Sequence, residues 1–190
     1  MASVPLSEVE ANAYGYTMEK ASNLTDAALA YVRARNADPM CSFGDFAAIS
    51  VEVDEQTAMV LKSEVSDGIV APSYTTAALD ILQKKRGGKF IILKADPDYD
   101  PGSLEYREVY GMAFSQKRND IVVSNDHFGK ESVVTEPKDA LNDGAVRDLV
   151  VASICVKYTQ SNSVGFAKDG ELCYTLPFLI FFKVLYPVRN

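Results

Sequence analysis

The chain has 190 residues, 47% of them hydrophobic and 24% charged, with a formal net charge of −7. This is the composition of an ordinary globular protein of one domain or two small ones, long enough to bury a core without disulfide staples. The acidic balance leaves no basic excess to neutralise phosphates, which excludes nonspecific nucleic-acid binding and adhesion to membrane surfaces.

Met1–Glu10 has neither a basic nor an apolar leader pattern, and the longest apolar run, Phe178–Phe182, falls far short of the roughly 20 residues that cross a bilayer. The three cysteines, Cys41, Cys155 and Cys173, show no metal spacing, and their odd number argues against a disulfide framework. A soluble, cytosolic chain without a metal site is expected.

In chain order, Ser7–Lys20 reads as a helix, with Ser7 at its N-cap and Glu8 and Glu10 in the first turn, where the helix dipole favours acids. A second helix is expected over Asp26–Arg35, stopping before Asp38-Pro39. Phe46–Val53 is β-rich, and Asp54 caps a helix running to about Lys62. Gly68–Ala71 reads as a buried strand end. Tyr74–Lys85 carries the i, i+3, i+4 pattern of a helix and is ended by Gly87-Gly88, and Phe90–Lys94 is the next strand.

This strand–helix–strand order predicts an α/β layered fold. Asp96–Leu104 is a polar loop, Tyr106–Gln116 an extended segment or hairpin arm, and Ser124–Asn142 a mixed stretch. Ala145–Lys157 is apolar on nearly all sides, the pattern of a helix buried between layers. Val164–Ala167 reads as a strand.

Between that helix and strand, the polar run Thr159–Ser163 is expected near the interior, where its groups must find partners in the protein or in a ligand. It serves equally as a loop capping the free carbonyls of the helix C-terminus. Gly44, in Phe43-Gly44-Asp45-Phe46, allows close approach by a ligand or makes a turn. Asp67, in Val65-Ser66-Asp67-Gly68, accepts hydrogen bonds from a ribose or an amine, or closes an Asx-turn. The only histidine, His127, reads as a surface residue, and Ser115–Asn119 as a solvated basic turn.

Taken together and in order, Arg33-Ala34-Arg35, Ser42-Phe43-Gly44-Asp45-Phe46, Glu64–Pro72, Ser115–Asn119 and Val156–Val164, with its Lys-Tyr-Thr-Gln-Ser-Asn-Ser string, resemble one family. It is the AICAR transformylase domain of the bifunctional purine-biosynthesis enzymes that join this activity to IMP cyclohydrolase. The resemblance covers residues 5–170 and implies a partial, cytidine-deaminase-like layered α/β domain without the deaminase zinc. Residues 171–190 read as an unrelated apolar tail.

The resemblance implies substrate-binding roles for Gly44, Asp67 and Asn162. It also implies AICAR as the nucleotide, 10-formyltetrahydrofolate as the formyl donor, FAICAR as the product that the cyclohydrolase converts to IMP, and a dimer with shared sites. The family's Lys-His-Val-Ser-Pro-Ala-Gly stretch has no counterpart before Pro5-Leu6-Ser7, and no Lys-His pair occurs anywhere in the chain. No catalytic residue is therefore assigned. The chain is expected to be inactive alone, or to act as a nucleotide-binding or dimerising fragment, with itself or with a full-length subunit.

Overall fold

A computed structural model of the chain describes residues 1–134 and 141–177, the last four of these as backbone only. Its centre is α/β. Strands β1 (Asp45–Ala48), β2 (Ser66–Ala71) and β3 (Ile91–Lys94) form a parallel sheet in the order β1-β2-β3. Helices α4 (Glu55–Ser63) and α5 (Thr76–Leu82) make the two crossovers that parallel neighbours require. Asp54 caps α4, its carboxylate accepting from the Thr57 N–H at 2.7 Å. Thr75 caps α5 in the same way. The strand expected over Phe46–Val53 is shorter, and Val53 instead makes a single parallel bridge with Tyr74.

Alternation along the strands separates the two faces of the sheet. Ala47, Ile69 and Ala71 turn into a core with Val53, Ala58, Leu61, Ala78 and Leu82, closed by Tyr31 from α3 (Asp26–Asn36) and by Phe90. On the opposite face Phe46, Gly68 and Ile91 align in one row and Ala48, Val70 and Leu93 in the next. Phe46, Ile91 and Leu93 are about half exposed there.

The single helix expected over Ser7–Lys20 is two. Helix α1 (Glu8–Ala13) begins with a capping box in which Ser7 and Glu10 satisfy each other's backbone N–H groups. It ends at Tyr14, because Gly15 takes a left-handed φ of 77°. Thr17 then caps α2 (Met18–Ser22).

Beyond the sheet, β4 (Leu104–Val109) and β5 (Met112–Lys117) form a hairpin. Its two-residue turn, Tyr110-Gly111, has positive φ at both positions, which suits the twist of the flanking strands. Two single-turn 3-10 helices, Asn125–Phe128 and Lys130–Ser132, occupy part of the mixed stretch, whose residues 135–140 lie outside the described residues.

Helix α6 (Asp143–Lys157) packs on the antiparallel hairpin of β6 (Ser163–Lys168) and β7 (Glu171–Pro177). The expectation that α6 is buried between layers is corrected. Ala152 is its one buried residue, and Leu149 and Ile154 are 40% and 41% exposed. The β6–β7 hairpin and the Asn125–Phe128 turn pack on the helix and leave most of its side chains partly exposed. Residues 171–177, at the start of the segment expected as an apolar tail, form β7; Phe178–Phe182 lies outside the described residues.

Arg33, fully buried on α3, joins these parts. Its guanidinium pairs with Glu10 at 2.9 Å and with Glu171 of β7 at 3.1 Å, and donates to the Val4 and Pro5 carbonyls. The Tyr14 hydroxyl donates to the Glu171 carboxylate at 2.8 Å, and burial together with that bond pushes its pKa up. Every charge in the cluster thus has a partner, the condition under which charged groups tolerate burial.

Removing the guanidinium while leaving the two carboxylates should be costly. Arg33→Met is expected to lower the unfolding free energy by about 3–5 kcal/mol, measured by urea denaturation. The hydrogen bond from Arg33, ahead of those from Ser7, holds the Glu10 carboxyl at about 2, below its ordinary 4.5. Glu10 therefore contributes stability that is complete above pH 4.5 and lost as the pH falls toward 2. In a pH series of denaturation curves, Glu10→Gln should flatten the acid limb over that window.

Candidate functional site

The segments carrying Gly44 and Asp67 meet at the amino ends of β1 and β2. Gly44 ends the connection from α3 and Asp67 is the second residue of β2, reached from α4 through Glu64–Val65; parallel pairing brings them side by side. The Gly44 N–H donates to the Val65 carbonyl at 2.9 Å. Gly44 has a φ of 78°, where a side chain is strained, and a Cβ there would meet nothing within 4 Å. Its backbone is therefore open to an approaching group.

The two motifs also interlock through a ring. Phe46 stands opposite Gly68 in the ladder, and a Cβ on Gly68 would fall 2.2 Å from the Phe46 ring and 2.9 Å from the Ile91 carbonyl oxygen. The glycine of Val65–Gly68 is thus the seat of the phenylalanine of Ser42–Phe46.

Asp67 points out of the sheet and is exposed, as is its partner Arg86, with which it forms an ion pair. Arg86 opens a run of left-handed residues with Gly87 and Gly88. It is a cation at the site that sequence reasoning passed over; the Lys-Arg-Gly-Gly string after α5 was the available signal, read only as a helix stop.

Its neighbour Lys85 is buried and donates to the Leu61 carbonyl at 3.0 Å and to the Glu64 carbonyl, so it caps the C-terminus of α4. Burial, and then the nearby Arg35, depress its pKa.

Behind the wall lies Arg35, largely buried. Its Nε donates to Glu64 at 2.6 Å, its Nη1 to the Ser42 carbonyl at 2.9 Å and its Nη2 to the Val65 carbonyl at 3.3 Å. Asp45 stands 3.2 Å from Nη1 as an ion pair, in a geometry that closes no hydrogen bond on its buried Oδ1. Beside the wall, α3 and β1 enclose a cavity of about 720 Å³ lined by Tyr31, Ala34, Arg35, Ser42, Asp45 and Ala47 among others. The Tyr31 hydroxyl is buried there without a well-formed hydrogen bond, and burial and the Asp45 charge raise its pKa.

Asn162 is exposed just before β6, on the separate two-stranded sheet. Among the described residues no hydrogen bond joins it to Gly44 or Asp67. The polar run Thr159–Ser163, expected near the interior, is instead mostly exposed. Thr159 donates to the Val156 carbonyl at 2.9 Å and Ser163 to the Gln160 carbonyl at 2.6 Å, which is the capping arrangement.

Asp148 of α6 accepts from the backbone N–H groups of Asp169 and Gly170 at 2.9 and 2.8 Å, fixing the turn of the β6–β7 hairpin. His127 lies exposed on a 3-10 turn, its Nδ1 accepting from the Ser124 N–H at 3.2 Å. Among the described residues no three His, Cys, Asp or Glu side chains gather as a metal site, and no helix is long and apolar enough to cross a membrane.

The family model of the AICARFT/IMPCHase bienzyme matches residues 11–175. A bifunctional purine biosynthesis protein PurH of Acetivibrio thermocellus is 34% identical over 152 residues, covering 80% of this chain and 28% of that protein. The protein of the same name in Bartonella bacilliformis is 31% identical over 141 residues, covering 74% of this chain and 25% of its own length. That of Fusobacterium nucleatum is 34% identical over 140 residues, covering 74% and 26%. The chain spans about a quarter of the length of these curated relatives.

The interlock of Phe46 with Gly68 can be tested alone. Gly68→Ala should displace the ring and strain the contact with Ile91, lowering stability by about 1–3 kcal/mol in chemical denaturation. In the double variant with Phe46→Ala, which vacates the ring's place, part of that loss should be recovered.

Proposed function

Since the chain belongs to the AICARFT/IMPCHase bienzyme family, we propose that it forms the nucleotide-holding wall of an AICAR formyltransferase in purine biosynthesis. Relatives named for purine biosynthesis support the pathway. The observation that carries the ligand reading is the meeting of Gly44 and Asp67 on adjoining strand ends. The unobstructed backbone at Gly44 lets a planar ligand lie against it. The Asp67 carboxylate accepts from ribose hydroxyls or an amine, and Arg86 beside it offers a cation to the nucleotide's phosphate.

The Arg86–Asp67 pair is solvent-exposed, and such pairs contribute little, so a ligand displaces it at small cost. The adjacent cavity of about 720 Å³ has the size of a small-molecule site.

Asn162 contributes an amide that both donates and accepts, from this chain or across a dimer of cytidine-deaminase-like subunits, whether two copies or one copy and a full-length subunit. The formyl donor is 10-formyltetrahydrofolate, and the setting is the cytosol. The 5-amine of AICAR is a weak nucleophile, so transfer needs a positioned base and an oxyanion stabiliser. The family's Lys-His pair does not occur in the sequence, and the only histidine, His127, lies on the exposed Asn125–Phe128 turn. In this reading the chain binds AICAR without turning it over, and the step from FAICAR to IMP lies outside it.

Isothermal titration of the 190-residue chain with AICAR should show saturable binding. Asp67→Asn keeps the shape of the side chain but removes the charge, and should weaken that binding about tenfold or more. In an assay with AICAR and 10-formyltetrahydrofolate the chain should show no formyl transfer. Absence of nucleotide binding would overturn the wall, and turnover near that of a complete enzyme would overturn the non-catalytic role.

A further inference from the structure

The chain that leads into the strands at Gly44 and Asp67 has no regular structure of its own to hold it. Ser42–Gly44 ends the turns between α3 and β1, and Glu64–Val65 is the two-residue passage from α4 to β2. One side chain bridges them. The Arg35 fork reaches the Ser42 carbonyl on one side, and the Val65 carbonyl and Glu64 carboxylate on the other. The Val65 carbonyl also receives the Gly44 N–H at 2.9 Å, so a single oxygen ties Arg35, the glycine segment and the strand that carries Asp67. Asp45 completes the ring of charge at 3.2 Å.

We propose that Arg35 is the positioning residue of this wall, holding the Gly44 and Asp67 segments in the mutual register that a ligand meets. The assignment rests on the reading of Gly44 and Asp67 as a nucleotide wall, but its geometry does not require a nucleotide. A planar fork is needed because three acceptors from two segments must be met at once, and a lysine ammonium, a compact charge without the fork, does not reproduce this. Arg33, two residues earlier, cannot substitute, because it is committed to Glu10 and Glu171.

The test measures backbone amide exchange at Gly44 in the full chain without ligand, and AICAR affinity in parallel. Arg35→Lys should speed exchange at Gly44 by about tenfold, the weight of one charge-assisted hydrogen bond. Protection within α5 should be unchanged, and AICAR binding should weaken by a similar factor. Unchanged exchange at Gly44 in a folded Arg35→Lys protein overturns the proposal, as does faster exchange with undiminished AICAR affinity.

If Arg35→Lys fails to fold, Glu64→Ala, which removes only the 2.6 Å partner, is read by the same criteria. Should the unmodified chain bind no AICAR, the nucleotide reading falls, while exchange at Gly44 still decides whether Arg35 sets the wall.

Discussion

Two guanidinium groups leave helix α3 for the interior, and the rest of the molecule is arranged around satisfying them. Arg33 is fully buried and Arg35 nearly so. Charges at that depth persist only when acids and carbonyls converge on them. Their spacing of two residues turns them roughly 200° apart around the helix, so they call on different neighbours. Arg33 gathers the N-terminal segment, α1 and β7, and Arg35 gathers the beginnings of β1 and β2. Helix α3 is therefore the common wall of two assemblies, which also meet where Val60 of α4 packs on the N-terminal cluster.

This arrangement divides the candidate site into fixed and exchangeable parts. Behind the strand ends, Arg35, Lys85 and the seat of Phe46 on Gly68 lock backbone to backbone. In front, Asp67 and Arg86 form an exposed pair with each other. A solvated pair of that kind is worth little, so it yields readily to a better-matched ligand. Rigid support beneath weakly engaged polar groups is what preorganised recognition requires.

Much of the central unit was legible because its signals are local. Caps at Ser7 and Asp54, the periodicity of Tyr74–Lys85 and the strand–helix alternation each depend on near neighbours, and each corresponds to an observed element. What depended on distant partners was not legible. Ala145–Lys157 is apolar on nearly all sides, yet burial needs covering partners that no periodicity reports. Glu171 looked like the first residue of an apolar tail, and its meaning came from Arg33 and Tyr14, both far away in sequence. Gly44 and Asp67 were singled out one at a time; that the Gly44 N–H bonds the Val65 carbonyl, two residues before Asp67, follows only from parallel pairing. The exposure of Asn162 and its neighbours is equally invisible in the local pattern.

The bond between Arg33 and Glu171 closes a loop of 138 residues. The crossovers through α4 and α5 use contacts a few tens of residues apart and can assemble early, whereas long-range closure is slow because its entropy is spent before any contact rewards it. During synthesis the guanidinium emerges long before its second acid. At ribosomal speeds it waits on the order of ten seconds with Glu10 as its only carboxylate. The β6–β7 hairpin is thus the last piece to dock, and until it does α3 carries a half-satisfied charge on an otherwise nearly finished sheet.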